Sequence, residues 1–314
     1  MIKRIKNFLR VKNAQLNQVK EVYNYINSSS KSPKINIGQL QARLNNERNS
    51  INDLSEVEFQ VFSQWGDDGI IQYLVNKIDI PNKTFIEFGV EDYTESNTRF
   101  LLINNNWTGY VLDGSPENAE YIKNDSVSWR YELHSAGAFI TRENINELIG
   151  KVNFEKEVGL LSIDIDGNDY WVWKEINGIN PVIVIAEYNS VFGKNTKWTV
   201  PYDASFVRRD KHVSNLYYGA SLDAFIALGK EKGYHFIGCN SKGNNAYFIR
   251  KDKIGNFKIR TADDGYVLSN FREAHMNGKW INGTDRIKTI EGMEVYDLAQ
   301  GGIVKIEAAK VRYK

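Results

Sequence analysis

The chain has 314 residues, 42% of them hydrophobic and 12% aromatic, which are values of a globular protein long enough for one large domain with extensions. Forty basic residues against 39 acidic ones leave a net charge of +1, which argues against a nucleic-acid partner recruited by bulk charge. The lone cysteine, Cys239, excludes an intramolecular disulfide and a cysteine-based zinc site, and it fits a cytoplasmic location.

Residues 1–54 read as an N-terminal helical extension: a basic amphipathic start, a Ser-rich break at "NSSSKSP", and a second helix from Gly38. The start lacks the long apolar core and cleavage site of a secretory signal. Ile2, Ile5, Phe8, Leu9 and Val11 share one helical face among Lys3, Arg4, Lys6 and Arg10. That face suits a homo-oligomer contact or peripheral attachment at the inner face of a membrane, and both readings stand. No stretch approaches the roughly 20 apolar residues that span a bilayer.

Residues 55–252 alternate strands and helices. "DDGIIQYLVNKI" is a helix opened by Asp67 and Asp68, and "TFIEFGV" a buried strand. "SNTRFLLINN" is a helix, "TGYVLDG" a strand ending at Asp113, and "SPENAEYIKN" a helix. "SWRYELHS" reads as the third strand, followed by "TRENINELIG", a helix with a Thr N-cap. "EVGLLSIDID" is the fourth strand, "NDYWVWKEI" a helix, and "PVIVIAEYN" the fifth strand. After a long loop, "GASLDAFIALGKEKG" is an amphipathic helix closed by Gly233, and "YHFIGCN" with "NAYFIRKD" forms a hairpin. Residues 253–314 form a Gly-punctuated, strand-leaning C-terminal extension. The expected fold is α/β: a Rossmann-like, mostly parallel seven-stranded sheet with a terminal antiparallel hairpin, the arrangement of class I methyltransferases.

In such sheets ligands bind beyond the carboxyl ends of the strands. Those ends carry Glu87 and Gly89, then Asp113, His134 and Ser135, Asp164 and Asp166, and finally Glu187 and Asn189. Gly89 stands without a G-x-G-x-x-G, so the dinucleotide fingerprint is missing. An acid two residues before a glycine suits a cationic amino-acid group. Asp113, with Gly114 beside it, suits ribose hydroxyls. Together they describe a pocket for S-adenosylmethionine, which has a ribose and an amino-acid tail but no phosphate. The alternative for Asp113 is a turn or cap before Ser115-Pro116.

"FIEFGVEDYTESNTRFLLINNNWTGYVLDGSPEN" resembles the cofactor half of FkbM-type methyltransferases of bacterial glycan pathways, and "SQWGDDGIIQYL" resembles the segment before their first strand. The resemblance spans about residues 62–286. It implies that Glu87, Gly89 and Asp113 hold the methionine tail and ribose, that Ser96 and Asn97 start a helix facing the methionine carboxylate, and that Ser135 lies near the adenine. A missing second glycine after Gly89 is the departure from that pattern.

"DIDGND" is not a calcium loop, because its glycine comes early and Trp171, Val172 and Trp173 follow instead of ligands. It resembles the segment of macrocin-type sugar O-methyltransferases in which acids after the fourth and fifth strands hold magnesium beside acceptor hydroxyls. That resemblance implies Asp166, Glu187 and Asn189 as Mg²⁺ ligands. A metal-free reading makes Asp164 or Asp166 the general base, with Asn168 or Asp169 capping the next helix. In the long loop at 190–219, Tyr202 and Tyr217 suit a sugar ring, Arg208 and Arg209 an anionic substituent, and His212 a general base. The sequence-level expectation is an S-adenosylmethionine-dependent O-methyltransferase acting on a sugar or glycan hydroxyl, possible with or without Mg²⁺. The rivals are nitrogen, phosphate-linked or small-metabolite acceptors, or a non-catalytic glycan-assembly protein on the same scaffold.

Overall fold

A computed structural model describes residues 33–271, 274–276 and 278–313. The basic amphipathic start, at residues 2–11, lies outside them. A helix, α1, runs through residues 33–46, so Gly38 lies within it rather than at its start. A Cβ on Gly38 would come within 2.4 Å of Val61, which explains a glycine where α1 crosses the domain. Ala42 and Ile35 pack with Phe59, Val61 and Phe100 beneath it.

The alternating region forms a seven-stranded sheet. Its strands are β1 (Thr84–Phe88), β2 (Thr108–Asp113), β3 (Leu133–Gly137), β4 (Leu160–Ile163) and β5 (Ile183–Glu187), with the later hairpin strands β7 (Tyr234–Cys239) and β8 (Asn245–Arg250). Their spatial order is β3-β2-β1-β4-β5-β8-β7. The first five are parallel, and β8 runs antiparallel to β5 and to β7. This is the strand order of the class I methyltransferase fold.

Both faces of the sheet are covered, as the near-continuous apolar strands require. Ile86, Phe88, Leu112 and Leu161 face α6 (Ile145–Ile149), α7 (Asp169–Glu175) and α9 (Leu222–Glu231), where Trp173 packs on Phe225 and Phe248. Phe85, Val111, Leu160 and Ile183 face the other side, with α2 (Asp67–Lys77) and α3 (Arg99–Asn105). Ser115 caps α4 (Pro116–Asn124), and Ser221 caps α9 by accepting from the Ala224 N–H. Gly233, at φ +88°, ends α9 as expected.

Two local expectations are corrected. "SWRYELHS" is not one strand: Asp125 accepts from the Val127 N–H and starts a short helix, α5 (Ser126–Arg130), so β3 begins later and runs to Gly137. α6 covers only Ile145–Ile149. Thr141 is not its N-cap; its N–H donates to the Asn144 side chain instead.

The C-terminal segment shares a core with the long loop. β6 (Trp198–Thr199), in that loop, pairs with β11 (Glu294–Asp297), which pairs with β12 (Gly302–Lys305). A two-stranded ribbon, β9 (Ala274–Met276) with β10 (Lys279–Ile281), precedes them. Phe192, Trp198 and Leu216 of the loop are buried with Ile287, Ile290, Val295 and Ile306 of the tail. A short helix, α8 (Arg208–Lys211), also lies within the loop.

Candidate active site

The strand order reverses between β1 and β4, and a cleft of about 670 Å³ opens there beyond their carboxyl ends. Glu87, Gly89, Ser96, Asn97, Asp113, Gly114, Asp164, Asp166, Glu187 and Arg208 all border it.

On the β1–β2 side the carboxylates are held by backbone donors. Glu87 is buried, and its two oxygens accept from the N–H groups of Asn97 (2.9 Å) and Thr98 (3.1 Å) and from the Thr98 hydroxyl (2.5 Å). It thereby fixes the chain entering α3. Burial pushes its pKa up to about 7 against those stabilising hydrogen bonds. Asp113 accepts from the Glu91 N–H on one oxygen and from the Ser115 N–H and the Asn118 amide on the other, each at 2.8 Å. Asp113 thus makes the turn, as its alternative reading expected, and it also borders the cleft. Gly89 has φ +71°, and a Cβ there would lie 1.6 Å from the Asp164 carbonyl oxygen. Only glycine permits this approach of the two central strand ends.

The β4–β5 side differs. Asp164, Asp166 and Glu187 each offer a carboxylate oxygen within 4.8 Å of the others. Glu187 is buried, and its Oε2 has no hydrogen-bond partner. Loss of solvent, then the neighbouring charges of Asp166 and Asp169, push the Asp164 pKa well above the carboxylate range. Burial, then the charge of Asp164, does the same to Glu187. Acids crowded this way need a proton or another cation between them. Asp166, in left-handed backbone at φ +57°, reaches outward and pairs with Arg208. The Arg208 guanidinium lies 3.5 Å over the Tyr218 ring, and its Nε donates to the Asn215 carbonyl oxygen.

The rest of "DIDGNDYW" builds the turn and clasps the loop. Asp169 is fully buried and accepts from the N–H groups of Ile165 (2.7 Å) and Gly167 (2.8 Å), so it braces the turn carrying Asp166. Asn168 stands at the cap position of α7, but its side chain makes no cap; it donates to the Asp203 carbonyl oxygen. The Trp171 indole N–H donates to the Val200 carbonyl oxygen. Phe206 closes on Gly167, where a Cβ would come within 2.3 Å of its ring.

Several expected residues are elsewhere. Asn189 does not join the acids: its Oδ1 accepts from the Val191 N–H, and its Nδ2 donates to the carbonyl oxygens of Leu216 and Tyr218. It anchors the loop, with its amide committed to backbone groups, and it does not line the cleft. Ser135 reaches the Ala119 carbonyl oxygen at 3.4 Å and does not border the cleft. The later start of β3 moves the cleft-lining positions on to Ala138, Phe139 and Ile140. Tyr217 is buried in the loop–tail core, its hydroxyl bound to the Glu294 carbonyl oxygen. Tyr202 binds Glu143 under the Arg142 guanidinium, away from the cleft. His212 makes a local bond to Ser214, and Arg209 is exposed; neither lines the cleft.

Residues not expected there are Gln64, Trp65, Phe139, Asn244, Asn245 and Phe271. The signal for Trp65 was present in "SQWGDDG". Asp68 Oδ2 accepts from the N–H groups of Val61, Phe62 and Ser63 and from the Ser63 hydroxyl, while Asp67 takes the amides of Asn240 and Asn245 and the Tyr247 hydroxyl. Gly69 passes so close to Val57 that a Cβ would meet its carbonyl oxygen at 2.1 Å. These residues pin the loop that delivers Trp65, stacked on Phe271 at 5.4 Å, to the cleft rim.

No family model matches the chain, and no curated protein matches it. Among solved structures it is similar to a putative caffeoyl-CoA O-methyltransferase from Staphylococcus aureus, at 17% identity and a TM-score of 0.39 over 69% of this chain and 91% of that one. It is also similar to the N-terminal domain of EvdMO1 with S-adenosylhomocysteine bound, at 9% identity and a TM-score of 0.38 over 67% and 93% of the two chains. An S-adenosylmethionine-dependent methyltransferase from Clostridium acetobutylicum gives 13% identity and a TM-score of 0.35 over 59% and 90%. Overlaps this loose leave substrate and chemistry to the strand-end residues themselves.

Proposed function

We propose that the protein is an S-adenosylmethionine-dependent O-methyltransferase acting on a sugar-type hydroxyl, assisted by a divalent cation. The observation that carries this reading is the division of acids along one cleft, backbone-bound at β1 and β2 and mutually exposed at β4 and β5. The first half suits the cofactor. Asp113 would receive the ribose hydroxyls. Phe139, 46% exposed and 3.9 Å from where a Cβ on Gly114 would stand, would lie against the base. The α3 entrance fixed by Glu87, with Ser96 and Asn97, would face the amino-acid tail. S-adenosylmethionine supplies an electrophilic methyl group.

The second half suits the acceptor. Asp164, Asp166 and Glu187 form a hard oxygen set of the kind Mg²⁺ takes, and the unpartnered Glu187 oxygen fits a cation. A cation held there would supply Lewis-acid chemistry that lowers the pKa of an acceptor hydroxyl. These carboxylates would orient the acceptor and take its proton, while Phe206 and the clasped loop would keep water from the transfer. Among the described residues no helix is long and apolar enough to cross a membrane.

Calorimetry with S-adenosylmethionine tests the cofactor assignment, and absence of binding at millimolar cofactor would sink the enzyme reading. Methyl-labelled cofactor incubated with matched hydroxyl, amine and phosphate acceptors then separates the acceptor classes. Turnover surviving EDTA unchanged leaves the proton to the Asp164–Glu187 pair alone.

A further inference from the structure

The flank of the cleft beyond β5 carries polar groups that the transfer step leaves unused. Asn244 and Asn245, where the hairpin turns into β8, border the cleft and are each 4% exposed. Asn245 is the strand partner of Glu187, and the Asn244 carbonyl oxygen accepts from the Tyr188 N–H. Both amides therefore stand beside the reactive acids, on the side away from β1 and β2.

Their orientation is set by the network behind them. Asn240 Oδ1 accepts from the N–H groups of Gly243, Asn244 and Asn245, so its Nδ2 is the end that reaches Asp67 and, at 2.8 Å, the Asn244 Oδ1. Asn244 is left with its Nδ2 as a free donor. Asn245 gives its Nδ2 to Asp67 at 3.0 Å and is left with its Oδ1 as a free acceptor. Neither of these outer atoms has a partner among the described residues, and neither is sealed from solvent. Amides so deeply placed and half satisfied are uncommon in a folded chain.

A donor and an acceptor side by side select a ligand that offers both in return. Adjacent hydroxyls of a sugar ring do so, since each hydroxyl gives and takes a hydrogen bond. An ionised carboxylate has no proton for Asn245, and an ammonium has no lone pair for Asn244. A secondary amide is trans, so its N–H and C=O point opposite ways. Beside the two asparagines, Trp65 and Phe271 form an aromatic wall of the cleft, stacked at 26° between their planes. Gly243 lets the segment leading to Phe271 press on the hairpin turn, where a Cβ would lie 2.5 Å from the Val267 carbonyl oxygen. Glu58 ties that turn towards the Trp65 loop by accepting from the Ser241 N–H and hydroxyl, each at 2.6 Å. Aromatic rings next to paired hydrogen-bonding groups suit a sugar, which has an apolar C–H face and a polar rim.

We propose that Asn244 and Asn245 hold a vicinal diol of the acceptor, with Trp65 and Phe271 along its ring. This rests on the methyl-transfer reading of the cleft. It narrows the acceptor to a sugar ring carrying two adjacent hydroxyls besides the one delivered to Asp164 and Glu187.

Methyl-labelled S-adenosylmethionine incubated with methyl hexopyranosides and their monodeoxy analogues tests it. The parent chain should methylate a glycoside and lose about 10- to 100-fold in kcat/KM when either diol hydroxyl is missing. Asn244→Ala leaves Asn240 bonded to Asp67. It should cost a similar factor on the full glycoside and nothing further on the analogue that lacks the hydroxyl Asn244 serves. Phe271→Ala, at the rim, should raise the acceptor KM while S-adenosylmethionine affinity, read by calorimetry, stays at its parent value. Equal losses by Asn244→Ala on every analogue would give it a structural role only and overturn the proposal. A fall in cofactor affinity in either variant overturns it too, by assigning this flank to the methionine tail. Cofactor binding without methylation of any hexopyranoside sinks the diol and spares the cofactor reading, whereas absent cofactor binding removes the reading beneath both.

Discussion

The two halves of the cleft use the same residue type at equivalent strand ends and differ in what surrounds it. Glu87 and Asp113 are each met by three donors, whereas Asp164 and Glu187 have chiefly one another. A carboxylate met by backbone N–H groups is a fixed part of the wall. Carboxylates facing each other hold a site whose occupant must be positive. Under the proposed function the β1–β2 half would be a shaped receptor for the cofactor, and the β4–β5 half would be the place that handles the acceptor proton or a cation.

The sharpest way to break this comparison is at the β4–β5 acids. Asp164→Asn or Glu187→Gln should lower turnover by about 10²- to 10⁴-fold while leaving S-adenosylmethionine affinity near its parent value, measured by single-turnover kinetics beside calorimetry. Equal losses in binding and turnover would erase the proposed division. Asp113→Ala should weaken cofactor binding by about 10- to 100-fold, the worth of one or two charged hydrogen bonds. Unchanged cofactor affinity would leave Asp113 with its turn alone.

Asn189→Ala is the control for the metal set. It should cost about 1–3 kcal/mol of stability, by leaving buried carbonyl groups unpaired, without changing Mg²⁺ affinity in a titration. A matching fall in metal affinity would return Asn189 to the ligands. The smallest effect concerns pH. The Glu87 pKa is raised from 4.5 to about 7, so its native state favours the proton. The stability it contributes is complete below about 4.5 and is lost as pH rises through about 7. Thermal melts across that window should slope downward with pH, and Glu87→Gln should flatten the slope. A slope that Glu87→Gln leaves unchanged would assign it to other buried acids such as Asp68, whose pKa is pushed up to about 6.

Where pattern is local, the sequence already reveals the architecture. Apolar runs ending in Glu87, Asp113, Asp164 and Glu187 mark the parallel strands, and Ser115-Pro116 and Gly233 mark helix ends. β3 is displaced because aromatic residues around Trp129 look strand-like, while Asp125 turns that stretch into a helix with a single cap. The loop from Ser190 to Gly219 shows its aromatic content but not its partners, since Trp198 pairs with a strand about a hundred residues further on. Tyr217 therefore looks like a sugar platform and is instead a core residue. Asn189 looks like a ligand for a related reason, because its partners Leu216 and Tyr218 stand at the far end of the loop it ties, about 27 to 29 residues on.

That small sheet of β6, β11 and β12 has a consequence for biosynthesis. The strands that form the floor of the cleft are complete once β8 has left the ribosome, but Trp198 cannot settle until Asp297 has been made. The nascent chain would thus hold all its strand-end acids before the loop beside them is tied down, and a message cut short near its end would yield an open cleft without its fastened loop.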